Sequence, residues 1–197
     1  MAKDLDGRFW DNRYKNKETG WDVGSISTPL KDYIDQLNNK DARILIPGCG
    51  NAYEAAYLLE QGFSNITLVD ISPVLVAVVK ERFSFYLNKQ LNVICADFFK
   101  LEGNFDLGLE QTFFCALDPS FRKKYVEKMH EILKPGGKIA GVLFNRNFEG
   151  GPPFGGSKDE YQKLFSEKFD IITMDVCYNS IAPRKGNEVF VIFRKPG

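Results

Sequence analysis

The chain has 197 residues, 44% of them hydrophobic, and 26 Lys plus Arg balance 26 Asp plus Glu for a formal net charge of zero. That length supplies one full hydrophobic core, and the balanced charge argues against a nucleic-acid partner, which calls for a basic excess to displace counterions. No apolar run is long enough for a bilayer, the beginning MAKDLDGRFWDNRYK lacks the apolar stretch of a signal peptide, and a single histidine, His130, leaves too few parts for a histidine metal cage or a catalytic triad. The four cysteines (Cys49, Cys95, Cys115, Cys177) are far apart and mostly inside apolar runs, so they read as reduced core residues of a cytoplasmic protein.

Up to about residue 40 the chain is polar, aromatic and weakly periodic, with PLKDYIDQL as a short helix opened by Thr28-Pro29. Beyond it, strand-like apolar runs alternate with helical patterns. ARILI (42–46) leads to AYEAAYLLEQ, NITLVD (65–70) to PVLVAVVKERFSFYL, and LNVICA (91–96) is followed by FDLGLE (105–110). FRKKYVEKMHEIL, KIAGVLF (138–144), KDEYQKLFSEK, FDIITMDVCY (169–178) and EVFVIFRK (188–195) complete the series. The alternation predicts an α/β fold, a mostly parallel sheet of seven strands with helices on both faces. Only YNSIAPRKGN separates the last two strands, too short for a crossover helix, so the last strand should run antiparallel. No repeat or linker divides residues 1–197, which read as one domain.

After the first strand, Gly48-Cys49-Gly50 makes a tight turn and a helix begins near Ala52, the expected ligand crevice of a doubly wound sheet. The next strand ends at Asp70, placed to accept from both hydroxyls of a ribose. A dinucleotide fingerprint would need a third glycine, but Tyr53 stands there, and Glu54 beside it repels phosphate and favours a cationic ligand. A nucleoside that carries positive charge and no phosphate fits, and S-adenosylmethionine is that molecule. Asp97, after the third strand, can accept from an adenine amino group while Phe98 packs on the ring; alone, Asp97 reads equally as a turn cap.

IPGCG, LVDIS, ADFF and LKPGGKI, in this order, resemble the class I S-adenosylmethionine-dependent methyltransferases over almost the whole chain. WDNRYKNKETGWDVG, TFFCALDPSFR, GGPPF and SIAPRKG narrow this to a resemblance to the thiopurine methyltransferase superfamily, closest to its thiol and halide branch. The resemblance implies a Rossmann-like seven-stranded sheet with a helical cap over the cofactor, formed by residues 1–40, with S-adenosyl-L-homocysteine as product and no metal. It places Trp10, Tyr14 and Trp21 around the cofactor, matches Gly48, Gly50, Asp70, Asp97 and Phe98 to nucleoside contacts, and puts Gln111 where plant relatives carry tyrosine. It also sets Arg122 and Arg184 near substrate, both of which read otherwise as solvated surface arginines. Phe154 stands where halide-using relatives often carry tyrosine.

Indole faces attract a sulfonium by about 0.5–2 kcal/mol per contact; the lesser reading makes Trp10 and Trp21 core anchors of an N-terminal helix. Methyl transfer to a thiolate partly cancels opposite charges, so a dry pocket lined by Phe113, Phe114, Phe148 and Phe154 would serve without a protein base. Glu110 either orients substrate or closes a strand-end hydrogen bond. The expected activity is methylation of a small-molecule sulfur nucleophile, a thiol or thiopurine, by a monomer that binds neither nucleic acid nor membrane. The alternatives are halide methylation and N- or O-methylation of a small molecule or macromolecule. Against the nitrogen enzymes, EQTFFCAL stands where an Asn/Asp-Pro-Pro-aromatic run would follow the fourth strand. A nicotinamide dehydrogenase is disfavoured by Tyr53 and by the terminal hairpin. Gly20 and Gly24 bracket Trp21, so this segment is expected to close over the site and to be mobile without ligand. An added hydroxyl at Phe154 is expected to narrow the preference for thiols over halides.

Overall fold

In the computed structural model, which describes residues 5–197, the first element is the helix α1, Gly7–Lys15, inside the stretch expected to form a helical cap. Asp6 starts it by accepting a hydrogen bond from the Phe9 N–H, the ordinary work of an aspartate N-cap. None of its residues is fully buried, so α1 lies on the body as a cap. The helix α2, Thr28–Asp35, follows, with Pro29 in its first turn.

From Arg43 the chain alternates as its hydrophobic pattern dictates. β1 (Arg43–Pro47), α3 (Tyr53–Glu60), β2 (Asn65–Asp70), α4 (Pro73–Arg82) and β3 (Leu91–Cys95) form the first half. β4 (Phe105–Gln111), α5 (Arg122–Ile132), β5 (Leu133–Phe144), α6 (Lys158–Phe165), β6 (Asp170–Val176) and β7 (Glu188–Arg194) form the second. The seven strands make one sheet in the order β3-β2-β1-β4-β5-β7-β6. β1 pairs in parallel with β2 and β4, as do β2 with β3 and β4 with β5, while β7 runs antiparallel to β5 and β6. The short connection after β6 allows only that hairpin.

Each face of the sheet is sealed by helices. Ile44 and Ile46 of β1 point to the layer built by Leu30 and Ile34 of α2, Leu58 of α3 and Val76 of α4, whereas Leu45 faces the layer of Tyr125, Met129 and Phe165 from α5 and α6. This is the alternation a strand imposes on successive side chains. Strand order reverses between β1 and β4, which opens a crevice at their carboxyl ends.

Several boundaries differ from those read in the sequence; α2 stops at Asp35 and α6 at Phe165, each before the expected end. α4 stops at Arg82, and the chain then turns so that Tyr86 and Leu87 pack on the core while Phe85 stays exposed. β5 begins at Leu133 because Leu133 pairs with Phe105 before an irregularity absorbs KPGG and the ladder resumes at Lys138. β6 ends at Val176, two residues before the expected Tyr178. No helix among the described residues is long and apolar enough to cross a membrane.

Candidate functional site

At the carboxyl ends of β1, β2, β3 and β4 lies a cleft of about 1010 Å³. Its floor is the glycine turn, where Gly48 (φ +56°), Gly50 (φ +52°) and Ala52 (φ +54°) alternate left-handed backbone with ordinary residues. Gly48 is required twice over: a Cβ there would lie 2.2 Å from the Phe113 ring, and its φ favours glycine.

Two carboxylates meet this floor. Asp70 accepts from the Gly50 N–H (3.3 Å) and the Ser72 N–H (3.0 Å), and its burial raises its pKa. Asp97 accepts from the Phe99 N–H (2.9 Å), so it caps a 3-10 turn and also borders the cleft. Phe98 stacks on Tyr125 with ring centroids 5.5 Å apart, and Gln111 accepts from the Ser27 hydroxyl at 2.7 Å. All four residues line the cleft.

Over the floor stand Trp10, Tyr14 and Trp21, with centroids 5.5 Å apart for Trp10–Trp21 and 5.8 Å for Tyr14–Trp21, both edge to face. All three are half-buried cleft residues. The cap is tied down at three points that the sequence did not disclose. Asp11 accepts from the Ser72 hydroxyl (2.5 Å) and the Val74 N–H (3.2 Å), fastening α1 to the start of α4. Asp22 accepts from the Asn51 amide and, at 3.2 Å, from the Tyr53 hydroxyl. Arg184 donates to the Trp21 carbonyl at 2.8 Å and pairs with Glu188 at 3.7 Å. Asp11 and Asp22 are ordinary acids in a polar stretch, and nothing local marks them.

The other side of the cleft is apolar, walled by Phe113, Phe121, Phe144, Phe148, Pro152 and Pro153. Two cations stand among these rings. Lys124 Nζ lies 4.5 Å from the Phe99 centroid and the Arg146 guanidinium 4.7 Å from that of Phe148, and neither forms an ion pair among the described residues. The loop carrying Pro152 and Pro153 is held by the Phe154 N–H donating to the Cys115 carbonyl (2.7 Å) and the Gly156 N–H to the Arg146 carbonyl (3.0 Å).

Four expected substrate residues fall in different places. Arg184 reaches the cleft, but its guanidinium is committed to the cap. Phe114, Arg122 and Phe154 lie outside the cleft lining. Arg122 is 5% exposed and binds Glu160 (2.5 Å) and the Gly155 carbonyl (2.6 Å), so it joins α5 to α6 behind the wall instead of meeting solvent. Phe114 is buried against Tyr125 and Tyr161, and the Phe154 ring packs on Gly151.

Glu110 closes the strand end. It accepts from the Phe113 N–H (2.9 Å), the Phe114 N–H (2.8 Å) and the Tyr125 hydroxyl (2.7 Å), and burial pushes its pKa up to about 7 against those donors. Its service is to aim Phe113 at Gly48. His130 packs edge-on to Phe169, away from the cleft. Cys49, Cys115 and Cys177 are buried as expected, whereas Cys95, at the end of β3, is exposed. No cluster of His, Cys, Asp or Glu among the described residues is arranged to hold a metal.

The profile of the family described as thiopurine S-methyltransferase (TPMT) matches residues 5–194. A probable thiol methyltransferase 2 of Arabidopsis thaliana is 31% identical over 184 residues, covering 91% of this chain and 81% of that protein. A thiopurine S-methyltransferase of Acinetobacter baylyi is 25% identical over 204 residues, covering 91% and 92%. Among solved structures, the 1,6-didemethyltoxoflavin-N1-methyltransferase of Burkholderia thailandensis, with bound 1,6-didemethyltoxoflavin and S-adenosylhomocysteine, superposes with a TM-score of 0.75. It is 20% identical, and the match covers 96% of this chain and 87% of that one, a likeness of fold.

Proposed function

The chain belongs to the thiopurine S-methyltransferase family, and from that premise we propose that its cleft serves the transfer of a methyl group from S-adenosylmethionine to the sulfur of a small molecule. One observation carries this reading: the cleft is divided between a floor of glycine turn, carboxylates and aromatic cap and a wall of phenylalanine and proline without a histidine. The residues present fit the cofactor. At Gly50 the left-handed turn leaves the backbone open to a ligand, with only the Tyr14 hydroxyl, 3.6 Å away, near where a Cβ would stand, and the acids around it suit a nucleoside with positive charge and no phosphate.

What S-adenosylmethionine supplies when bound is an electrophilic methyl on a positively charged sulfur; the acceptor thiolate becomes a thioether and S-adenosylhomocysteine is left. In this reading Asp70 accepts from the ribose hydroxyls, Asp97 and Phe98 hold the adenine, and Gln111 borders the cofactor beside Ser27. Trp10, Tyr14 and Trp21 offer ring faces to the cation, each contact worth about 0.5–2 kcal/mol. Phe113, Phe144 and Phe148 exclude water, which favours a transfer in which opposite charges cancel. Lys124 and Arg146 draw an anionic acceptor toward the rings. A nucleophile that arrives ionised needs no protein base, so rate comes from position and dryness.

We further read residues 1–197 as one catalytic unit with 1–40 as its cap, acting as a monomer on a small-molecule acceptor in the cytoplasm. Four free cysteines suit a reducing compartment. The decisive experiment is methyl transfer from labelled cofactor to thiols, thiopurines, sulfide and halides. Thiols or aromatic thiolates should exceed iodide and chloride in kcat/KM. Transfer to nitrogen or oxygen acceptors alone would refute the sulfur reading, and iodide matching every thiol would make this a halide enzyme.

A further inference from the structure

Glu54 sits in the first turn of α3, 6% exposed, and borders the cleft. No other residue donates a hydrogen bond to its carboxylate and no lysine or arginine pairs with it among the described residues; its own backbone N–H is its one donor. The other carboxylates of the cleft are all engaged. Asp6 takes the Phe9 N–H, Glu18 pairs with Arg13, and Asp22 takes Asn51 and Tyr53. Asp70 takes Gly50 and Ser72, Asp97 takes Phe99, and Asp118 takes Ser120. β1 adds none, because it ends in Ile46 and Pro47.

The groups that face Glu54 do not supply its counter-charge. Arg184, from the β6–β7 connection, acts on it at a distance but is spent on Glu188 and the Trp21 carbonyl. Asp22, from the cap, and Cys49, from the glycine turn, add no positive charge. A buried carboxylate without a cation is costly and persists where a ligand brings the cation. Its place in a first helical turn favours the charged form once the ion is paired.

Resting on the cofactor reading above, we infer that Glu54 is the carboxylate that pairs with the α-ammonium of the cofactor's methionyl arm, making it a binding residue that discriminates the whole amino acid from a bare adenosyl thioether. The sign of the linked protonation follows from burial. In the ligand-free protein the Glu54 pKa is pushed up from 4.5 to about 7, and a cation brought beside it lowers it again. Binding an ammonium-bearing ligand near neutrality therefore releases a fraction of a proton, and affinity for that ligand weakens as pH falls below 7.

The test is titration calorimetry near pH 7 in two buffers of different ionisation enthalpy. It compares S-adenosylhomocysteine, which carries the ammonium, with 5′-methylthioadenosine, which lacks it. Wild type should release protons with the first ligand and not the second. Glu54→Gln should abolish that release, weaken S-adenosylhomocysteine by about 10- to 100-fold, and leave 5′-methylthioadenosine within about twofold. An equal loss for both ligands, or none for either, overturns the assignment while leaving the cofactor reading intact. Failure of wild type to bind either ligand overturns both. Should the glutamine variant not fold, wild type still decides, because proton release that does not differ between the two ligands refutes the pairing.

Discussion

Replacing Gly48 by alanine probes the floor of the cleft where backbone and side chain are both constrained. The new Cβ would stand 2.2 Å from Cδ2, 2.8 Å from Cγ and 3.1 Å from Cβ of Phe113. The contact includes the base of the ring, so rotating the ring does not relieve it and the whole residue must move. Phe113 is not free to move, since its N–H is held by Glu110 at 2.9 Å and its ring packs 5.1 Å from that of Phe98. The φ of +56° adds strain of about 1–2 kcal/mol for any residue with a Cβ, and the forced repacking adds about 1–3 kcal/mol. Gly62 is the matched control, with φ +83° and nothing within 4 Å of a Cβ, so Gly62→Ala should show the backbone strain alone. Gly50→Ala, whose Cβ would meet only the Tyr14 hydroxyl at 3.6 Å, should resemble the control in stability. The assay is urea denaturation of the three variants beside wild type, with S-adenosylhomocysteine calorimetry on each. Gly48→Ala should lose about 2–5 kcal/mol of stability and at least about tenfold in ligand affinity. Stability within about 0.5 kcal/mol of Gly62→Ala would refute the Phe113 argument.

Asp70→Ala should weaken S-adenosylhomocysteine by about 1–3 kcal/mol through lost hydrogen bonds, and undiminished calorimetric affinity would remove Asp70 from the cofactor site. Asp11→Ala unfastens α1 from α4 at a cost of about 0.5–2 kcal/mol; limited proteolysis between residues 8 and 28 should quicken and be slowed again by ligand. Glu54 and Glu110 are both raised from 4.5 to about 7 by burial, so between those values the folded chain holds protons the unfolded chain has lost. Stability should therefore fall as pH rises through that window, by up to about 3 kcal/mol per group, and denaturation midpoints that do not fall between pH 5 and pH 8 would contradict it. Phe154→Tyr should leave the thiol-to-iodide ratio of kcat/KM unchanged, because that ring packs on Gly151 outside the cleft lining; a narrowed ratio would return Phe154 to the acceptor site.

Much of the frame was legible because its causes are local. Strand and helix periods, the short stretch before β7, and the glycines after β1 with Asp70 closing β2 depend on neighbours a few residues apart or on one repeating unit. The first helix was expected only as part of the cap that the family resemblance implies, because none of its residues is fully buried and its Trp10 and Tyr14 line the cleft instead of the core. Partnership was the part that only the tertiary structure decided. Arg122 and Arg184 look alike in the sequence, yet one is spent on Glu160 and Gly155 behind the wall while the other holds the Trp21 carbonyl 163 residues away. Glu54 is visible as an acid at a helix start, but its isolation appears only when every other carboxylate around the cleft is seen to have a donor. Burial and hydrogen-bond partners are set by which elements meet in space. A residue's type states what it can donate or accept, and the fold determines what stands opposite it.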